Sequence, residues 1–172
     1  MIRVATLDDI DKLRELKIEV GRDTYLEMGT LEQFEEWVGD VCSHAYFEKM
    51  LTNSTTVLVA EYRSELLGMS AISFHDDYAF FSNLYVGLRR RGIGSLLTEH
   101  RMNMAQHHIS LQEPSSTYEL RARCFFRNAP AYQHLLKHGF QPYDWTMLDN
   151  YDFPAVMFKQ EIVVPAIERA YS

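Results

Sequence analysis

The chain has 172 residues, 24 acidic against 17 basic, and a formal net charge of −7. That length fits one domain, 1–172, which can bury a core without a metal or a disulfide. Its 47% hydrophobic, 13% aromatic and 24% charged residues exclude a disordered chain, and its acidity speaks against a general nucleic-acid binder, which needs clustered Lys and Arg. The imbalance is confined to the first third: residues 1–61 hold 13 acidic and 6 basic residues, whereas residues 62–172 hold 11 of each. Asp23, Glu27, Glu32, Glu35, Glu36 and Asp40 lie in a stretch without Lys or Arg.

Two cysteines, Cys42 and Cys124, make no disulfide framework and are expected to be reduced thiols. Met1–Leu13 lacks the apolar segment of a signal peptide. No apolar run approaches the roughly 18 residues of a membrane span. The expectation is a cytoplasmic protein with no membrane partner.

Ile2–Ala5 reads as a strand. Thr6 with Asp9 resembles a capping box, after which Ile10, Leu13, Leu16, Lys17 and Val20 follow helical spacing. Helical stretches are expected at Leu31–Val38 and near Ala45–Leu51. Thr55–Tyr62 and Leu66–Phe74 form a hairpin about Arg63-Ser64-Glu65, and Tyr78–Val86 is a third, aromatic strand. Gly92 opens a helix with Ile93, Leu96, Leu97, His100 and Met104 on one face. Ile109–Thr117 reads as a loop, Tyr118–Cys124 as a strand and Ala129–Lys137 as a helix stopped by Gly139. Gln141–Leu148 and Ala155–Val164 are the last strands. The order β-α-α-β-β-β-α-β-α-β-β implies a mixed α/β sheet with helices on its faces.

Leu84-Tyr85-Val86-Gly87-Leu88-Arg89-Arg90-Arg91-Gly92-Ile93-Gly94-Ser95 carries the most information. A strand ends, a basic glycine-containing turn follows and a helix begins, which is the physics of an anion site. Unpaired N–H groups and the helix dipole favour negative charge, glycines allow close backbone approach, and arginines add charged donors. A dinucleotide fingerprint needs a glycine where Leu97 stands, and a phosphate loop of the Gly-Lys-Ser/Thr kind is absent. A solvated basic turn is the plain alternative.

Arg89-x-x-Gly92-x-Gly94 after a strand resembles the acetyl-CoA loop of the GNAT superfamily of N-acetyltransferases. Ile2-Arg3-x-Ala5-Thr6-x-x-Asp9-Ile10 resembles the opening strand and helix of that family, and Val59-Ala60-Glu61 through Leu67-Gly68 resembles its hairpin. Asn128-x-x-Ala131 followed by Gly139-Phe140 resembles its second cofactor motif and the helix after it. The resemblance implies a single-domain GNAT-like fold with a mixed, mostly antiparallel sheet. Its central strands, Tyr78–Val86 and Tyr118–Cys124, would run parallel and splay to admit acetyl-CoA. It also implies that the amides of Arg90, Arg91, Gly92, Ile93, Gly94 and Ser95 hold the pyrophosphate, with Arg89 lining the turn. The backbone of Leu84, Tyr85 and Val86 would pair with the pantetheine arm, and Asn128 and Ala131 would meet it from the other side. Asn128 suits a helix N-cap as well. The chain departs from the family pattern twice. The short step from Val86 to Arg89 implies a bulged or shifted strand end, and Leu135 stands where many members carry the tyrosine that protonates departing coenzyme A.

The implied reaction is direct attack of an uncharged amine on the thioester carbonyl, with a backbone N–H near Val86 on the developing oxyanion. The amine, of pKa near ~10 when free, must first lose a proton to a base or a water chain. Phe80-Phe81-Ser82-Asn83 lacks the glutamate that some members use; Glu119, His75, Asp76 and Asp77 are the unranked alternatives. Tyr132, one helical turn before Leu135, is the candidate general acid, with core packing as its competing role. His134 is expected to point elsewhere. The seven histidines form no ligand set, so no metal is expected.

In this family the first two helices commonly wall the acceptor site. Tyr25-Leu26-x-Met28 with Phe34-x-x-Trp37 resembles spermidine/spermine N-acetyltransferase-like members. Tyr25, Glu27 and Met28 are the expected acceptor contacts, and a small cationic amine such as a polyamine is the expected substrate. A solvated helix face is the plain alternative for the acidic stretch. A peptide or protein N-acetyltransferase and a non-catalytic acyl-CoA-binding module are the rival readings. Many relatives form homodimers, and the tail Ile162–Ser172 is the candidate contact.

Overall fold

The computed structural model describes residues 1–111, 117–148 and 153–163, without the side chains of Met28, Leu148 and Phe153. The tail expected to carry a dimer contact lies outside them beyond Val163. In chain order the elements are β1 (Ile2–Val4), α1 (Ile10–Met28), α2 (Leu31–Val41), α3 (His44–Thr52), β2 (Thr55–Tyr62), β3 (Glu65–Phe74) and β4 (Tyr78–Val86). They continue with α4 (Ile93–Ser110), β5 (Thr117–Phe125), α5 (Ala129–Lys137), β6 (Gln141–Leu148) and β7 (Phe153–Val163). The strands form one sheet in the order β1-β2-β3-β4-β5-β7-β6. The β4–β5 pair is parallel and the other pairs are antiparallel, as the α/β reading expects. Among the described residues no helix is long and apolar enough to cross a membrane.

Local chemistry sets the element ends. Asp9 accepts the Thr6 N–H at 2.8 Å and both Arg3 guanidinium nitrogens at 2.7 and 2.8 Å, while Arg3 Nε pairs with Glu61. One guanidinium thus ties β1, the start of α1 and β2. Arg3 holds the buried Asp9 carboxyl at about 2. A carboxylate held below its unfolded value stabilises the fold above that value, and the contribution is lost as pH falls through about 2. Asp9→Asn should therefore cost about 1–3 kcal/mol at neutral pH, the difference from wild type closing with acid. Urea melts across that range measure it, and a pH-independent difference would refute the assignment.

Thr30 and Ser43 cap α2 and α3 through the N–H groups of Gln33 (3.2 Å) and Tyr46 (3.1 Å). A Cβ on Gly21 would lie 2.5 Å from Trp37 Cη2, so this glycine lets α2 close onto α1. Strand alternation then separates two faces. Val57, Val59, Met69 and Ala71 pack under α1 and α3, while Leu58, Ala60 and Ile72 face the α4 side.

Two readings need correction. α4 runs through Ile109 to Ser110, beyond the expected loop start, and it buries Leu97, Thr98, Arg101, Ala105 and Ile109. Leu96 and His100, expected on the inner face, are exposed. The inner row contains an arginine, which apolar periodicity cannot include. Arg101 is accommodated because Ala71 O and Ser82 O (3.4 Å each) and Thr98 Oγ1 (3.0 Å) accept from it, and the Phe81 ring lies 4.4 Å away.

Candidate active site

Strands β4 and β5 pair only from Tyr78↔Glu119 to Phe81↔Ala122 and then part. A cleft of about 1490 Å³ opens in the gap, larger than the roughly 300–1,000 Å³ of a site for one small ligand. Just beyond the last pair, β4 carries a bulge. Met69 faces Tyr85 and Ala71 faces Ser82, so β4 holds one extra residue there, and Asn83 takes φ 51°. The extra residue reverses which face each later side chain takes. Ala79 and Phe81 lie in the α4-side core, yet Tyr85 packs toward α1 and α2, and Leu84 toward Leu97 of α4. The bulge lies three residues before Val86, which still pairs with Gly68, so the distortion is inside β4 and not at the strand end expected from the Val86–Arg89 spacing.

One end of the cleft is basic. Arg89, Arg90, Gly92, Ile93, Gly94 and Ser95 line it, and Lys137 of α5 adds a cation. Arg90 (φ 61°) and Gly92 (φ 77°) are both left-handed, and Gly92 is the N-cap of α4. This conformation turns successive backbone groups toward one concavity, a nest ahead of a helix N-terminus. Arg91 is exposed, as Arg89 and Arg90 are, but unlike them it is not among the lining residues. On the opposite wall Asn128 caps α5 by accepting the Ala131 N–H at 3.1 Å, and both residues line the cleft with Leu84, Tyr85 and Val86.

Tyr132 is not on that wall. The α5 residues facing the cleft include Ala131, His134 and Leu135, spaced at i, i+3 and i+4. Tyr132 lies off this stripe, its ring edge-on to Phe158 at 5.0 Å in the α4-side core. His134, expected to point elsewhere, takes the facing position. Arg101 donates to Thr98 Oγ1 (3.0 Å), and that hydroxyl bonds His134 Nε2 (2.9 Å). Burial holds the His134 imidazole down at about 4, neutral at physiological pH.

The other end is walled by α1 and α2. Of the six carboxylates in 23–40, Asp23, Glu27 and Asp40 line the cleft, and so do Arg123 and Arg127. Tyr25 is a buried core residue, 4.2 Å from the Trp37 ring and 5.1 Å from Phe125. It contributes to the cleft as part of an aromatic wall, beside the exposed Glu27. The Met28 side chain lies outside the described residues. Lys17, read at first as part of the apolar row of α1, also lines this end and is 1% exposed. Burial pushes both the Cys42 and Cys124 thiols up to about 11. Among the described residues no group of three or more His, Cys, Asp or Glu is placed to hold a metal ion.

Solved structures with this arrangement are numerous. The PaiA N-acetyltransferase of Thermoplasma acidophilum, in complex with coenzyme A, superposes with a TM-score of 0.79 at 20% identity, over 94% of this chain and 98% of that one. This chain has the fold of the GNAT N-acetyltransferases. A GCN5-related N-acetyltransferase of Rhodopseudomonas palustris matches with a TM-score of 0.76 at 15% identity, over 94% and 95% of the two chains. The ribosomal-protein-S18-alanine N-acetyltransferase of Escherichia coli matches with a TM-score of 0.69 at 14% identity, over 100% and 99%. No protein-family model and no curated protein sequence matches the chain. In this GNAT fold the expected splay is present, and the bulge stands inside β4 at Asn83 instead of at the strand end. The residues that sequence reasoning missed are His134 and Lys17. The signal for Lys17 was there: a lysine on the apolar row of an amphipathic helix.

Proposed function

We propose that the protein binds acetyl-CoA in the β4–β5 cleft and transfers its acetyl group to a primary amine, in the first instance a small cationic amine such as a polyamine. The observation that carries the reading is the splay itself: an open strand edge with a left-handed basic nest at one end and carboxylates at the other. The residues fit the coenzyme. A Cβ at Gly92 would meet nothing within 4 Å, so the backbone there is open to a phosphate. Arg89 and Arg90 would neutralise the phosphates, and the Leu84–Val86 backbone would pair with the pantetheine arm opposite Asn128 and Ala131. When bound, acetyl-CoA supplies an acyl group activated as a thioester.

The Gly87 N–H is already given to Leu67 O at 3.0 Å. Val86, the last residue of β4, is the proposed donor to the oxyanion. With Tyr132 packed on Phe158, the departing thiol, of pKa near ~8.5, leaves without a proton from Tyr132. Asp23, Glu27 and Asp40 would draw a cationic acceptor to the far end, raising its on-rate by roughly 10–10³-fold at low salt. Arg123 and Arg127 in the same lining favour, as the second reading, an acceptor that also carries a carboxylate, such as an amino acid or a peptide.

The test is coenzyme A release across polyamines, amino acids, aminoglycosides and peptides at low and high ionic strength. Spermidine turnover that falls steeply with salt is the expected result. A salt-independent rate removes the cationic-acceptor reading, and acetylation of peptides but not spermidine favours the second. Acetyl-CoA binding without turnover across the panel makes the protein a binding module.

A further inference from the structure

The first half of α1 buries an apolar row, and Lys17 stands in that row with 1% of its surface exposed. Among the described residues no carboxylate pairs with it. Its Nζ reaches two oxygens, Val41 O at 2.8 Å and Asn83 Oδ1 at 3.0 Å. A neutral amine, with two N–H donors and a lone pair, meets both acceptors and keeps its lone pair for an incoming proton. The rings of Tyr46 (4.4 Å), Tyr85 (5.4 Å), Phe47 (5.5 Å) and Trp37 (5.6 Å) surround Nζ, and their faces would hold the ammonium group once a proton has been taken.

The placement follows from the bulge. The left-handed Asn83 turns its amide toward α1, where Oδ1 accepts from Lys17 while Nδ2 donates to Tyr46 Oη at 3.4 Å. A non-glycine residue in that conformation is the kind of strain that clusters at functional sites. Asn83 is also part of Phe80-Phe81-Ser82-Asn83, the segment that lacks a glutamate. Lys17 lines the acceptor end of the cleft together with Tyr46, Tyr85 and Trp37.

Resting on the acetyl-transfer reading, we propose that Lys17 is the general base of this site, taking a proton from the ammonium group of the acceptor. One proton passes from the acceptor nitrogen to Lys17 Nζ and from there to solvent, and no covalent bond to Lys17 forms. The acceptor nitrogen keeps its electron pair for attack on the acyl carbon. Its N–C bond forms as the C–S bond breaks, and the second proton shed by the nitrogen leaves on the coenzyme thiol.

The titratable and charged groups around Lys17 agree with this. Cys42, at the end of α2, stays a neutral thiol. Tyr46 of α3 and Tyr85 of β4 are both pushed up by burial and stay neutral phenols. On its own helix Arg14 gives its Nε to Cys42 O at 2.8 Å. Asp40 of α2 and Arg123 of β5 line the same cleft. With burial dominant, Lys17 is held down at about 8, near the working pH that suits a base.

The experiment has two arms. The chain has five lysines, so ¹³C-lysine labelling gives few signals to assign. One should titrate near 8 and vanish in Lys17→Gln; titration of the Lys17 signal with the ordinary lysines near ~10.4 overturns the proposal without any turnover being measured. In the second arm, Lys17→Gln and Lys17→Met are assayed across pH with the best amine. Expected is a loss of roughly 10²–10⁴-fold in kcat/KM, disappearance of the acidic limb near 8, and acetyl-CoA affinity within about twofold of wild type, which also shows that the variants are folded. An unchanged limb overturns the base assignment, as does a rise in KM confined to carboxylate-bearing acceptors with kcat kept, which would make Lys17 an anion site. Failure of the wild type on every amine overturns the transfer reading and the base with it.

Discussion

Gly94→Leu is expected to weaken acetyl-CoA binding about 100-fold, or about 2.7 kcal/mol, with folding stability changed by no more than about 1 kcal/mol. Gly94 is the second residue of α4 and lines the cleft. A Cβ there would lie 3.5 Å from His134 Cε1 and 3.6 Å from Val86 Cγ2, which is ordinary contact. Its φ is not left-handed, and leucine is a better helix former than glycine. The backbone therefore accepts the change. The atoms beyond Cβ would extend beside Val86 of β4 and His134 of α5, on the path proposed for the pantetheine arm. Calorimetry with coenzyme A and a urea melt separate the two quantities. Unchanged affinity would put the coenzyme elsewhere, and a large loss of stability would show that the passage is packed.

The second large effect is on stability. Phe140→Ala should cost about 3–5 kcal/mol. Phe140 is fully buried, its ring 5.6 Å from that of Phe81. It follows Gly139, whose φ of 87° ends α5 with the Phe140 N–H on Leu135 O (3.1 Å) and the Gly139 N–H on Leu136 O (3.0 Å). The helix end and the core contact are thus one device. Phe81 is the last β4 residue paired with β5, so Phe140 packs directly beneath the point where the strands part. A denaturant midpoint shift with unchanged slope is the expected signature. A cost below about 1 kcal/mol would mean that neighbours close over the hole.

The residue pattern disclosed most of the elements because their signals are local. The Thr6–Asp9 box, the hairpin between β2 and β3, the Gly92 helix start and the Gly139 stop each depend on neighbours within a few residues. The phosphate loop was legible for the same reason: glycines, arginines and a helix start are contiguous. The inner face of α4 was misjudged because Arg101 is buried by carbonyls of β3 and β4, 30 and 19 positions away in the chain. Tyr132 is singled out in the sequence by lying one helical turn before Leu135, and His134 is its neighbour on the same helix. Only the contacts with Phe158 and Thr98, distant in sequence, decide which of them meets the cleft.

By itself the sequence determined a one-domain mixed α/β chain, its basic glycine-bearing turn and an acidic first third. Tertiary structure decided what that charge does. It brings Asp23, Glu27 and Asp40 into the lining but not Glu32, Glu35 or Glu36, and it adds Arg123 and Arg127 to the same lining. It also places Lys17 beside the bulge at Asn83, where burial disfavours the charged amine and lowers its pKa. Net charge is a sum over residues; the chemistry of a cleft depends on which of them the fold brings together and which it withdraws from water.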